Sequence, residues 1–224
     1  MVVWHGTDNA DYWQGEREDR LKGRDGNDTL YGSEVYGEEG NDRLYGYGNS
    51  SDRLFGGAGN DILLDFSGND SLYGGVGKDT LYSGLGEDSL KGGAGNDVLV
   101  AGEGSDTLIG GAGNDTLRGG SVTSTSVSQN ILYGGKGADI FNLSGAVFHL
   151  EDTLFGIEVD VAVVKDFGKG DRIELPSSSE TFYRISNNNG NTRIYATANS
   201  ETALIGIIEE TNSSEVEKRI DYIA

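Results

Sequence analysis

The sequence predicts an all-β fold, a parallel β-roll solenoid of nine-residue repeats with a β-rich C-terminal cap. Three observations predict it. From Gly56 to Arg118 the chain runs as seven consecutive units of the form G-G-x-G-N-D-x-L-x. Glycine makes up 37 of the 224 residues against a single proline. The 37 acidic residues outnumber 17 basic ones, for a net charge of −20.

The units read GGAGNDILL, DFSGNDSLY, GGVGKDTLY, SGLGEDSLK, GGAGNDVLV, AGEGSDTLI and GGAGNDTLR. Aspartate holds the sixth position throughout (Asp61, Asp70, Asp79, Asp88, Asp97, Asp106, Asp115), and leucine the eighth. Glycine at this density costs about 1 kcal/mol per position in a helix, and a continuous strand alternates with period two. The period of nine also excludes a collagen-like chain. Each unit therefore divides into a tight turn, GGxGND, where glycine supplies positive φ without steric cost, and a short strand, xLx. Two units make one coil of about 18 residues. Coils stack at the strand spacing of about 4.8 Å and bury an internal leucine column that no unit could bury alone.

Upstream the beat slips. Asp11, Asp19, Asp28, Asp42 and Asp52 are unevenly spaced, and extra residues such as GSEVY (Gly32–Tyr36) are expected to bulge from the surface. Downstream, the polar stretch SVTSTSVSQ at 121–129 interrupts as a solvated loop. NILYGGKGADIFN then follows, with Asn130 in the aspartate position and Asp139 restoring it. The period ends after Asn142. The expected division is a roll over 1–142, regular over 56–118, and a cap over 143–224.

Stacking sets Asp61, Asp79, Asp97 and Asp115 along one edge and Asp52, Asp70, Asp88 and Asp106 along the other. Like charges in register destabilise a sheet, so a positive partner is required between coils. The neighbouring positions offer glycine, asparagine and serine rather than a regular row of bases. Calcium takes six to eight oxygens in flexible geometry, which suits carboxylates set among glycine carbonyls. Magnesium demands a stricter octahedron, and zinc prefers nitrogen or sulfur.

These units resemble the hemolysin-type calcium-binding repeat of RTX proteins over about residues 6–142. The resemblance implies calcium ions in two rows along the roll edges, each held by carbonyls and aspartates of successive turns on one edge. On one edge it pairs Gly57, Gly59 and Asp61 with Gly74, Val76 and Asp79. The next sites pair Gly75, Gly77 and Asp79 with Gly92, Ala94 and Asp97, and Gly93, Gly95 and Asp97 with Gly110, Ala112 and Asp115. On the opposite edge it pairs Phe66, Gly68 and Asp70 with Ser83, Leu85 and Asp88, then Gly84, Gly86 and Asp88 with Ala101, Glu103 and Asp106. Asp52 and Asp139 extend the metal set, and partial or absent ions are expected near Asp19, Asp28 and Asn130.

KDFGKGDRIEL (Lys165–Leu175) is similar to the segment following the repeats in many secreted RTX proteins. The ending Asp221-Tyr222-Ile223-Ala224 resembles that of type I secretion substrates, implying a secreted or cell-surface protein and a type I exporter as partner. FYRISNNNGNTRIYAT and ALIGIIE alternate like strands around an NNNG turn.

The acidic balance makes nucleic acid and anionic membranes poor partners. No stretch reaches the about 18 apolar residues of a membrane helix, and MVVWHGTDNAD lacks the basic and apolar regions of a signal peptide. Neither His5 nor His149 stands in an H-E-x-x-H motif, and no G-x-S-x-G elbow is present. Asp166 and Asp171 are expected as turn or calcium ligands rather than acids. The expectation is a non-enzymatic calcium-binding protein. The alternative is an accessory polysaccharide- or surface-binding module of an extracellular enzyme or adhesin, using Tyr73, Tyr82 and Tyr133; these more simply form an outward strand stripe.

Overall fold

The computed structural model describes residues 3–15, 20–120, 129–143, 161–176, 181–188, 191–198, 201–208 and 220–223. Two sheets alternate along the chain. The first contains, in spatial order, β1 (Val3–His5), β3 (Arg20–Asp25), β5 (Glu34–Glu39), β7 (Arg53–Ala58) and β9 (Ser71–Val76). It continues with β11 (Ser89–Ala94), β13 (Thr107–Ala112), β15 (Gln129–Lys136) and β17 (Val161–Val164). It closes with β21 (Glu201–Ile208), β20 (Asn191–Ala198) and β19 (Thr181–Asn188).

The second sheet takes the intervening strands: β2 (Tyr12–Gln14), β4 (Thr29–Tyr31), β6 (Arg43–Tyr45), β8 (Ile62–Leu64) and β10 (Thr80–Leu85). Then come β12 (Val98–Glu103), β14 (Thr116–Arg118), β16 (Ile140–Asn142), β18 (Arg172–Pro176) and β22 (Ile220–Ile223). Every pairing is parallel except those of β19 with β20 and β20 with β21. Among the described residues there is no helix, so none is long and apolar enough to cross a membrane.

Register follows the repeat. Leu72 pairs with Leu90 and Leu90 with Leu108 in the first sheet; Leu81 pairs with Leu99 and Leu99 with Leu117 in the second. All are fully buried. Successive units belong to opposite sheets, so the leucines form two facing columns rather than the single column expected. Many strands are also six residues long rather than three. In the six-residue strands the first half of the glycine turn keeps pairing with the next coil, Gly75 with Gly93 and Val76 with Ala94.

The two sheets continue past Asn142, where the nonapeptide period ends. β17 adds to β15 and β18 to β16, both parallel. Ile173 and Val164, fully buried, carry on the columns in place of leucine. Nearer the start of the chain, GSEVY does not bulge as expected: Val35 in β5 is fully buried between Leu21 and Leu54. The antiparallel β19–β20–β21 meander is joined to the stack through β21 and β17. The sequence-predicted loop at 121–129, apart from Gln129 at the start of β15, lies outside the described residues, as do Asp19, His149 and the tip of the NNNG turn.

Candidate metal centre

Each coil presents a turn at either edge of the roll, and the aspartate ending that turn faces inward. Asp52, Asp61, Asp70, Asp79, Asp88, Asp97, Asp106, Asp115 and Asp139 are all buried. Their first carboxylate oxygen has a fixed task. The Asp61 backbone N–H donates to Asp79 Oδ1, Asp79 to Asp97, and Asp97 to Asp115, each at 2.9 Å. Asp52, Asp70 and Asp88 form the same chain on the other edge, ending on Asp106.

The second oxygen is different. Oδ2 of Asp61, Asp70, Asp79, Asp88, Asp97, Asp106, Asp115 and Asp139 is buried without a hydrogen-bond partner. A buried, unpaired carboxylate oxygen is costly, and here the cost recurs with each coil.

The surroundings of these oxygens are built from backbone. A β-carbon at Gly92 would run into Asp97 Oδ2 and lie 2.7 Å from the Gly110 carbonyl oxygen. Gly56, Gly74 and Gly110 repeat this cradle with Asp61, Asp79 and Asp115. The carbonyls of Gly57 and Gly59 face the next turn at Gly75 and Gly77; those of Gly75, Gly77, Gly93 and Gly95 do the same one and two coils on. From the other side of the gap, the carbonyls of Val76, Ala94 and Ala112 accept N–H bonds from Gly59, Gly77 and Gly95, which leaves each one lone pair. On the opposite edge the Phe66, Gly68, Gly84 and Gly86 carbonyls face the following turn. Those of Leu85 and Glu103 accept from Gly68 and Gly86. Val76, Leu85 and Phe66 expose their side chains, so only their backbone can serve the gap.

The two edges are not equivalent. On the first, the opening turn position is glycine. On the second it is Asp65, Ser83 and Ala101, all buried, and Ser83 Oγ donates to the Ala101 carbonyl at 3.1 Å. An all-oxygen set of anionic and carbonyl donors fits a hard cation such as calcium.

Burial pushes the Asp42, Asp79, Asp106 and Asp115 carboxyls up to about 7, and those of Asp61 and Asp70 up to about 6, against the opposing pull of backbone hydrogen bonds. A folded-state value above the ordinary 3.8 favours the folded form below about pH 4, and that contribution is lost as pH rises through 6 to 7. The metal-free chain is therefore expected to gain β structure between pH 8 and pH 5. Circular dichroism of protein passed over a chelating resin measures this; a signal independent of pH across that interval would contradict it.

Several ladder members were not among the sequence-predicted ligands. Asp11 accepts from no regular unit, yet its N–H donates to Asp28 Oδ1, and Asp28 and Asp42 carry the chain to Asp61. Oδ2 of Asp28 and Asp42 is buried and unpartnered like the rest. Irregular loop lengths kept these residues, though seen as slipped beats, out of the expected ligand set; the signal that places Asp28 and Asp42 is the leucine two positions on, Leu30 and Leu44. At the far end Asp171 accepts the Asp139 N–H, so the ladder outlasts the period. Asp166 binds the N–H groups of Gly134 and Gly135, a turn role.

Asn130 occupies its expected rung. Its Oδ1 accepts the Asp106 N–H, while its Nδ2 donates to the Gly119 carbonyl at 2.9 Å. A neutral donor thus stands where other rungs hold an unpaired oxygen. Outside the rows, Tyr73 stacks on Phe55 and Phe55 on Tyr36, with centroids 4.8 and 4.6 Å apart. Tyr82 and Tyr133 are partly exposed, and His5 lies exposed in β1.

The family model for the RTX calcium-binding nonapeptide repeat matches residues 13–34, 34–63, 47–81, 67–90, 91–123 and 128–145, more than half of the chain. No curated protein matches it.

Proposed function

The chain belongs to the RTX calcium-binding nonapeptide repeat family, and from that membership we propose that its aspartate rows bind Ca²⁺ between successive turns and so drive the roll to fold outside the cell. The observation that carries this reading is the repeated buried Oδ2 without a partner. A bound divalent ion supplies the positive charge those oxygens lack. The aspartates hold the turns in register through Oδ1, and the turn carbonyls complete an oxygen cage across the gap. Because the cage needs two turns at once, binding free energy appears as folding free energy.

Extracellular calcium modules bind at about 10⁻⁴ to 10⁻³ M. Affinity in that range leaves the chain unfolded, and fit for a type I exporter, where calcium is scarce. The role is structural and non-enzymatic, with Asp166 engaged by a turn and Asp171 by the ladder instead of in acid–base work. Isothermal titration of metal-free protein tests the reading. Calcium is expected to bind with concurrent gain of β signal and magnesium to do neither at the same concentration. Equal responses to both ions would remove calcium as the ligand.

The stacked row of Tyr36, Phe55 and Tyr73 on the first sheet favours a second reading, polysaccharide or cell-surface binding by an accessory module; Tyr82 belongs to the other sheet and does not extend that row. A glycan array run in calcium separates the two; no retained glycan leaves the structural role alone.

A further inference from the structure

One rung departs from the regular design. The turn Gly46-Tyr47-Gly48-Asn49-Ser50-Ser51-Asp52 is one residue longer than GGxGND, and the next turn on that edge, DFSGND, opens with Asp65 where the repeat has glycine. The Asp65 side chain points back across the gap. A β-carbon at Gly46 would run into Asp65 Oδ2 and lie 2.7 Å from Asp52 Oδ2. In the regular rows the matching place receives a carbonyl oxygen from the next turn, as Gly74 receives that of Gly92. Here a carboxylate takes that place.

Carboxylate oxygens of Asp52, Asp65 and Asp70 all lie within 4.8 Å of one another, and all three residues are buried. Asp65 is only 3% exposed. Its Oδ1 accepts the Phe66 N–H at 2.7 Å, whereas its Oδ2 has no partner, and neither has Asp70 Oδ2. Asp52 Oδ2 accepts the Tyr47 N–H and its Oδ1 the Ser50 hydroxyl, so the longer turn wraps and orients this carboxylate. The Ser50 carbonyl faces the same gap at Gly68. Ser67 Oγ ties the two turns together by bonding the Gly48 carbonyl and Asn49 Oδ1.

We propose that Asp52, Asp65 and Asp70 form a three-carboxylate cation site that fills first and holds its Ca²⁺ more tightly than the two-carboxylate sites of the regular rows. The inference rests on the calcium reading above. Calcium affinity in oxygen cages rises with the number of charged ligands and with rigidity, and this gap has more of both. Filling it first fixes β7 to β9 in register and gives the remaining coils a template on either side.

Calorimetric titration of the full-length chain with CaCl₂ tests this, with Asp65→Gly restoring the repeat's own residue and Asp65→Asn keeping shape without charge. The wild type is expected to show one ion equivalent bound about tenfold or more tighter than the rest, in line with the spread that charge count gives such sites. Both variants are expected to lose that class and keep the weaker ones. Wild-type and variant isotherms that superimpose overturn the inference and leave the calcium reading standing; so does a metal-free Asp65→Asn chain that is stabilised while binding all its calcium as before, since the carboxylates then share a proton instead of an ion. Absence of binding by all three chains overturns both.

Discussion

Stripped of divalent ions near neutral pH, the chain is expected to lose most of its far-UV β signal and to expand toward the radius of gyration of about 50 Å of an unfolded chain this long. Each nine-residue unit buries one leucine, worth about 2 kcal/mol. Against it stands the ordering of several glycines, the residues that lose most conformational freedom on folding. The backbone ladder satisfies the strands but leaves a row of carboxylates stacked at each edge, with a buried oxygen unanswered on Asp28, Asp42, Asp61, Asp70, Asp79, Asp88, Asp97, Asp106, Asp115 and Asp139. With the net charge at −20, repulsion then acts both locally and over the whole molecule. Addition of EGTA followed by small-angle scattering and circular dichroism checks this, and restoring calcium should reverse it. A compact β chain persisting in EGTA at pH 7.5 would show that the leucine columns suffice without ions.

Gly95→Ala is expected to be among the most damaging single methyls in the roll. Gly95 has φ of +137°, a region held almost only by glycine, and forcing another residue there costs about 1–3 kcal/mol. The added β-carbon would also overlap the Gly77 carbonyl oxygen and lie 2.5 Å from the Gly77 carbonyl carbon. Both are backbone atoms of the stacked turn and cannot swing aside as a side chain would. The coils must separate, which opens the gap flanked by Asp79 and Asp97. A loss of about 3 kcal/mol or more is expected, read as a large rise in the calcium concentration needed for half-maximal folding. Lys91→Arg, at an exposed outward position of β11, should leave that concentration unchanged. Equal behaviour of the two variants would mean that the turns are not packed so closely.

The regular half of this architecture was legible because its chemistry is periodic. Aspartate at position six and leucine at position eight announce a turn and a strand wherever they recur, and Asn130 could be placed on its rung through Leu132 two residues on. Legibility failed where the spacing changed but the stack did not. Asp28 and Asp42 were visible as slipped beats, but their uneven spacing kept them out of the expected ligand set, although they share the buried, half-satisfied geometry of Asp61. Val164 and Ile173 replace leucine past the last repeat, and any apolar side chain of suitable size can cap a column. Asp65 escaped for a different reason. It breaks the motif at its first position, and only the backbone course of the preceding, longer turn shows that its carboxylate enters the gap beside Asp52.

The most direct measurement is long-wavelength anomalous diffraction from crystals grown in calcium. Peaks are expected between Asp61 and Asp79, between Asp79 and Asp97, and between Asp97 and Asp115, each about 2.3–2.6 Å from carboxylate and carbonyl oxygens. Gaps filled by water alone, or aspartates turned outward to solvent, would contradict the claim that cations join the coils.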